Sequence, residues 1–150
     1  MLRYTLVPKM FFDKDDAGRF LSDVVSLEEK ASVKYKELPI YKAVLVYTGD
    51  EARAASISAM ADVSRTIDCY NRILVKVWED CIDILVAAGD HLLLCNSYPA
   101  TDCVTIQYFI FAALSRFQIN PALTVLHFVG DVPEGLPDEL FRHLKSVEVL

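Results

Sequence analysis

The sequence predicts an α/β fold with a mixed sheet, and three observations carry that prediction. Residues 72–98 contain three alternating apolar runs, Ile73–Trp78, Ile82–Ala87 and His91–Asn96, with Gly89-Asp90 supplying the tight-turn chemistry of a hairpin between the last two. From Thr101 to Leu150 helical and strand patterns then alternate, so the second half reads βββαβαβ. The chain has 150 residues, 53% of them hydrophobic, which is enough for one core or two closely packed lobes, and no uninterrupted apolar span reaches the roughly 18 residues of a membrane helix.

Taken in order, Tyr4-Thr5-Leu6-Val7 is a short strand halted by Pro8. A helix follows with a cap among Asp13, Asp15 and Asp16, and its core face is Phe20, Leu21, Val24 and Val25. Glu28 to Pro39 is charged and broken by proline, which suggests an edge strand or loop. Ala43–Tyr47 is a clearer strand. Asp50 caps an Ala-rich helix from Glu51 to Asp62, anchored by Ile57 and Met60, and a strand near Arg65 to Cys69 leads into the second half.

After the three strands, Pro99 breaks the ladder and Thr101 is a natural N-cap, with Asp102 at the positive end of the dipole. The helix runs to Asn120-Pro121, and its apolar residues cover nearly the whole circumference, where a sheet-covering helix needs a stripe of about 100°. A second surface is therefore expected over it. A strand at Thr124–Val129, a helix initiated by Pro137 and a last strand at Val147–Leu150 complete the chain.

The formal charge of −6, from 21 acidic and 15 basic residues without a basic run, argues against nucleic acid and anionic membranes as partners. The N-terminus lacks a secretory apolar core, and the expectation is a cytoplasmic protein. Cys69, Cys81, Cys95 and Cys103 fall at no metal-ligand spacing and read as thiols of a reducing compartment.

Tyr4-Thr5-Leu6-Val7-Pro8 with Phe11-Phe12-Asp13, then Asn96-Ser97-Tyr98 with Thr101-Asp102, and Phe128-Val129-Gly130-Asp131 resemble the DUF3822 family, which is bacterial, found mostly in Bacteroidetes, and similar in fold to actin-like ATPases. The resemblance implies a ribonuclease H-like module at residues 71–150, the half-module of those ATPases, preceded by an α/β lobe at 1–70. Members of the family carry a three-strand unit ahead of the YTLVP segment and a further helix between the halves. Neither is recognised here, so the first lobe is expected to be reduced.

Actin-like ATPases grip phosphate with backbone amides in the hairpin turn after the first strand, normally an acidic residue closely followed by Gly, because only glycine lets the main chain approach the anion. Here that turn reads Trp78-Glu79-Asp80-Cys81-Ile82, with two carboxylates and no glycine, and it repels a triphosphate unless a divalent cation intervenes. The Gly-Gly of the adenosine side survives only as Gly130-Asp131. Glu79, Asp80, Gly130 and Asp131 are thus the residues an ATP–Mg²⁺ site would use, while the simpler reading has Gly130 ending a strand and Asp131 opening a turn.

Asn96, Thr101 and Asp102 are the best polar candidates for a specific role, because a polar pair recurs at this junction in the resembling family. Their structural alternative is loop and helix-cap hydrogen bonding. A two-metal nuclease needs carboxylates converging from the first and fourth strands, and those strands carry Lys76 and His127 instead. A Cys95–His127 nucleophile pair across neighbouring strands lacks any local oxyanion hole, and Ser56, Ser58 and Ser64 lie in no G-x-S-x-G.

The expected function is that of a non-catalytic interaction or assembly protein on a degenerate actin-like ATPase scaffold, with no cofactor, partnered by another protein or by itself as a homodimer. The alternative is weak nucleotide binding through Mg²⁺. If the chain is an enzyme at all, it is an ATPase of that superfamily.

Overall fold

The computed structural model describes residues 2–24 and 32–150, so Val25 of the expected helix face and residues 28–31 of the expected edge segment lie outside it. The chain divides into two units, Met1–Arg65 and Thr66–Leu150.

The first unit has a three-stranded antiparallel sheet of β1 (Arg3–Pro8), β2 (Lys34–Leu38) and β3 (Ala43–Thr48) in the order β1-β3-β2. β3 is central because its residues are the apolar ones, whereas β2 displays Lys34, Tyr35, Lys36 and Glu37 to solvent as an edge strand does. Asp13 caps a 3-10 turn by accepting from the Asp15 amide, and α1 (Ala17–Ser22) follows. Leu21 packs against Val7, Val44 and Val46, with Phe20 half-buried beside them. Val24 is exposed instead of joining that face, because α1 ends at Ser22 and its periodicity no longer applies.

The helix α2 (Glu51–Ser64) begins at Asp50, whose carboxylate accepts from the amides of Ala52 at 2.9 Å and Arg53 at 3.3 Å. These are two of the donors every helix start leaves unpaired. Its buried side chains include Ala54, Ile57, Met60 and Ala61. No strand forms at Arg65–Cys69. Just beyond, the Tyr70 carbonyl accepts from the Gly89 amide and the Cys69 carbonyl from the Arg72 guanidinium, so these groups bond to the β5–β6 turn and to the start of β4 rather than to a ladder.

The second unit follows the expected order βββαβαβ. β4 (Asn71–Val77), β5 (Cys81–Ala88) and β6 (His91–Pro99) form an antiparallel meander, while β7 (Val125–Phe128) lies parallel to β4 and β8 (Ser146–Val149) parallel to β7. The sheet order is β6-β5-β4-β7-β8. Pro99 does not break the ladder but ends it, opposite Cys81, at a sheet edge where its missing N–H costs no bond.

The helices α3 (Cys103–Arg116) and α4 (Leu136–Phe141) share one core with Ile73, Val75, Ile82, Ile84, Leu126 and Phe128. The N-cap of α3 is Asp102 rather than Thr101. Its carboxylate takes the Thr105 amide at 2.8 Å and the Thr105 hydroxyl at 3.0 Å. Those bonds hold the Asp102 carboxyl below its ordinary pKa, the amide contributing most. The helix stops at Arg116, and Gln118 takes a left-handed φ of 55° well before Pro121.

The apolar circumference of α3 is largely absorbed within the unit. Ile106, Ile110, Ala113 and Leu114 are buried, Tyr98 stacks on Phe109 with ring centroids 4.6 Å apart, and His143 meets Phe111 edge-on at 5.7 Å. Val104 and Tyr108 are the large apolar side chains of α3 that stay exposed, with Ala112 continuing their stripe.

Three outcomes follow from these contacts. Phe128→Ala empties a fully buried site and should lower unfolding free energy by about 3–5 kcal/mol in urea titration. Asp50→Ala should cost about 1 kcal/mol in the same assay. Because the folded pKa of Asp102 is lowered, its stabilisation is complete above the unfolded carboxyl value and fades as pH falls through the folded one. Asp102→Asn keeps an N-cap acceptor but cannot titrate, so its acid-range thermal melts should fall less steeply than those of the wild type.

Candidate functional site

Open α/β sheets offer ligands a crevice at the carboxyl ends of their parallel strands, and β4 and β7 end together here. The parallel register sets Val75 opposite Phe128, and the Val129 amide donates to the Val75 carbonyl at 2.9 Å. At this end the β4–β5 turn is closed by Trp78 N–H to Cys81 C=O at 2.8 Å, and the Ala100 amide reaches the Asp80 carbonyl at 3.2 Å. The turn is thereby tied to the start of α3.

Between them lies a cleft of about 250 Å³ lined by Trp78, Glu79, Thr101, Asp102, Cys103 and Pro133, among others. Three of the residues singled out by sequence, Glu79, Thr101 and Asp102, therefore share one wall. Asp80 is exposed at the turn and contributes its carbonyl rather than its carboxylate to the packing. Gly130 has φ +80° at the end of β7, where a Cβ would come 3.8 Å from the Lys76 ammonium, and Asp131 is exposed beside it. Asn96 does not join the cleft. It sits within β6 opposite Ile84, and its side chain accepts from the Ser97 amide.

A polar cluster that was not singled out from the sequence lies on the sheet face opposite α3 and α4. Alternation along β4 and β5 puts Lys76 and Asp83 there, directly paired across the two strands. Asp83 is 1% exposed. It accepts from the Trp78 indole at 2.7 Å and from the Ser97 hydroxyl, while the Lys76 ammonium stands 4.7 Å from the Trp78 ring centroid. A buried carboxylate is kept in a sheet only where such donors meet it. The cluster fixes the indole of Trp78, one of the residues that line the cleft. Its signal in the sequence was a lone Asp inside the apolar run Ile82–Val86, with a lysine in the neighbouring strand.

The electrostatics of the cleft are acidic, with Glu79 and Asp102 lining it and no Lys or Arg among its described lining residues. Among the described residues no three His, Cys, Asp or Glu side chains converge as a metal site. The Cys95–His127 pairing is overturned by the strand order, since β5 and β4 lie between the strands that carry them. His127 is buried and turns instead to Glu148 on β8, 3.2 Å away. Among the described residues no helix is long and apolar enough to cross a membrane.

This geometry can be set beside known proteins. A Bacteroides thetaiotaomicron protein with actin-like ATPase fold and unknown function superimposes with a TM-score of 0.81 at 20% identity, covering 99% of this chain and 65% of that one. A chain of the PilM–PilN type IV pilus biogenesis complex matches with a TM-score of 0.61 at 15% identity, covering 100% of this chain and 66% of its own length. The chain thus spans just under two thirds of either structure, and the first match gives it the actin-like ATPase fold. Comparison with curated proteins gave no match. The DUF3822 family, described as a protein of unknown function, matches residues 63–146, from the end of α2 into β8, so the chain belongs to the DUF3822 family on an actin-like ATPase fold.

Proposed function

We propose that the chain is a non-catalytic interaction or assembly module that retains the actin-like scaffold without its nucleotide machinery. The carrying observation is the Trp78–Cys81 turn. In the place where a phosphate needs bare backbone amides, it presents Glu79 and Asp80, closes its own Trp78 amide onto Cys81, and has no glycine to admit an anion. The position of the Lys76 ammonium over the Trp78 ring supports the same reading, because the nearby cation rests on an aromatic side chain of the chain itself. The exposed Val104 and Tyr108 stripe of α3 offers apolar surface to a partner. One structural neighbour is a subunit of a pilus biogenesis complex, which is a precedent for assembly on this fold. A cytoplasmic location accords with this reading.

A second reading, weak Mg-nucleotide binding, is favoured by one feature alone. Glu79, Thr101 and Asp102 share the cleft, where two carboxylates and a hydroxyl could hold a hydrated Mg²⁺ under a phosphate. The two readings separate cleanly in a titration with Mg-ATP to millimolar concentration, followed by thermal melting and by fluorescence of Trp78, the chain's single tryptophan. The expected result is that neither signal moves. Ligand at a hundred-fold excess over its dissociation constant would stabilise the fold by about 2.7 kcal/mol. A shift of that size, abolished by Glu79→Ala, would replace the first reading with the second.

A further inference from the structure

The face of α3 that stays in solvent is one continuous stripe. At 3.6 residues per turn, Val104, Tyr108, Ala112 and Ser115 fall within about 80° of one another around the helix. All four are exposed, Val104 at 77% and Tyr108 at 66%. Tyr108 is backed by other rings, since it meets Phe109 edge-on at 5.3 Å and Phe109 stacks on Tyr98. A side chain supported in this way loses little freedom when a partner covers it.

The two charges of this helix stand at its ends and on one flank. Asp102 is the N-cap and Arg116 the last residue, and no Asp, Glu, Lys or Arg lies between them. The helical turn puts both beyond Ala112 on the same side of the stripe. Among the described residues neither forms an ion pair: the Asp102 carboxylate takes the amide and hydroxyl of Thr105, and the Arg116 guanidinium lies 5.4 Å from the Phe117 ring centroid.

This order of side chains is complementary to itself when reversed. For a second copy of α3 laid antiparallel about a two-fold axis between Phe109 and Ile110, one register sets Tyr108 against the partner's Ala112, Val104 against the partner's Ser115 and Asp102 against the partner's Arg116. Each large side chain meets a small one, and each charge meets its opposite. Such a rotation keeps a flank on its own side, so the flank shared by Asp102 and Arg116 is what lets them meet. The antiparallel arrangement also brings the positive end of one helix dipole beside the negative end of the other.

We propose that two copies of the chain associate through α3 in this antiparallel register. The inference rests on the reading of the chain as an assembly module and names its partner as a second copy. A contact one helix wide and about 21 Å long falls at the low end of interface sizes, so the dimer is a weak one.

The test is the mass of the full chain by sedimentation equilibrium from micromolar to submillimolar concentration, at low and high salt. The mass is expected to double across this range, and less completely at high salt. Tyr108→Ala should raise the dissociation constant at least about ten-fold, and Ala112→Tyr, which sets ring against ring, should do the same. Combining Tyr108→Ala with Ala112→Tyr again opposes large to small and should restore association. Restoration requires a folded protein, so it separates lost contact from lost fold. Arg116→Glu sets like charges opposite each other and should weaken the dimer most at low salt. A wild type that stays monomeric throughout overturns the proposal. So does a dimer indifferent to these single substitutions, or a double variant that stays monomeric. Each of these outcomes leaves the assembly reading to another surface, since that reading falls by the Mg-ATP titration and not by the mass.

Discussion

The second unit depends on β4 being paired on both sides in opposite senses, antiparallel to β5 and parallel to β7. A strand in that position is buried on both faces, and Ile73, Leu74 and Val75 are fully so. The antiparallel side sends the chain straight back through the Trp78–Cys81 turn, while the parallel side forces a crossover through α3 before β7 can be laid down. Both ends of the unit follow from this single choice. The carboxyl ends of β4 and β7 meet at the cleft, and their amino ends meet where Tyr70 and Leu123 emerge.

A conflict between burial and polarity is resolved at the same place. β5 is an apolar strand with one carboxylate, and the buried Asp83 is met there by the Trp78 indole and the Ser97 hydroxyl. The arrangement uses side chains that an anion-binding site would otherwise leave available. The turn above it is equally committed, with its first amide bonded to Cys81 and its carboxylates at the surface. Cleft and cluster together describe a strand end whose turn amide and buried carboxylate are both engaged in hydrogen bonds of the chain itself.

The circumference of α3 illustrates how an apolar excess can mislead. Its composition calls for cover on every side, and most of that cover comes from ring contacts within the unit, Tyr98 on Phe109 and His143 on Phe111. Partial burial by aromatic neighbours suffices because rings are large and bring their own polar edges to the surface. What remains open is a narrow line at Val104 and Tyr108. Apolar side chains are as exposed at the strand ends, where loops too short for any periodic pattern carry Tyr70 and Leu123.

Local chemistry was legible in the sequence: the alternating runs of β4 to β6, the Gly89 turn, Asp50 as a cap, and Ile57 and Met60 as anchors all depend on neighbours within a few residues. Errors fell where the deciding contact was distant. Arg65–Cys69 has no ladder partner, Val24 lies past the end of its helix, and Thr101 yields the cap to Asp102, whose carboxylate takes the Thr105 amide. The candidate site was half legible, since the glycine-free turn can be read directly but its meeting with Thr101 and Asp102 requires the sheet. Only the tertiary structure decided that two strands separate Cys95 from His127, that Lys76 pairs with Asp83 across the ladder, and that Tyr70 meets Gly89. Strand order and register set these pairings, and both arise from contacts between segments tens of residues apart, which sequence periodicity does not encode.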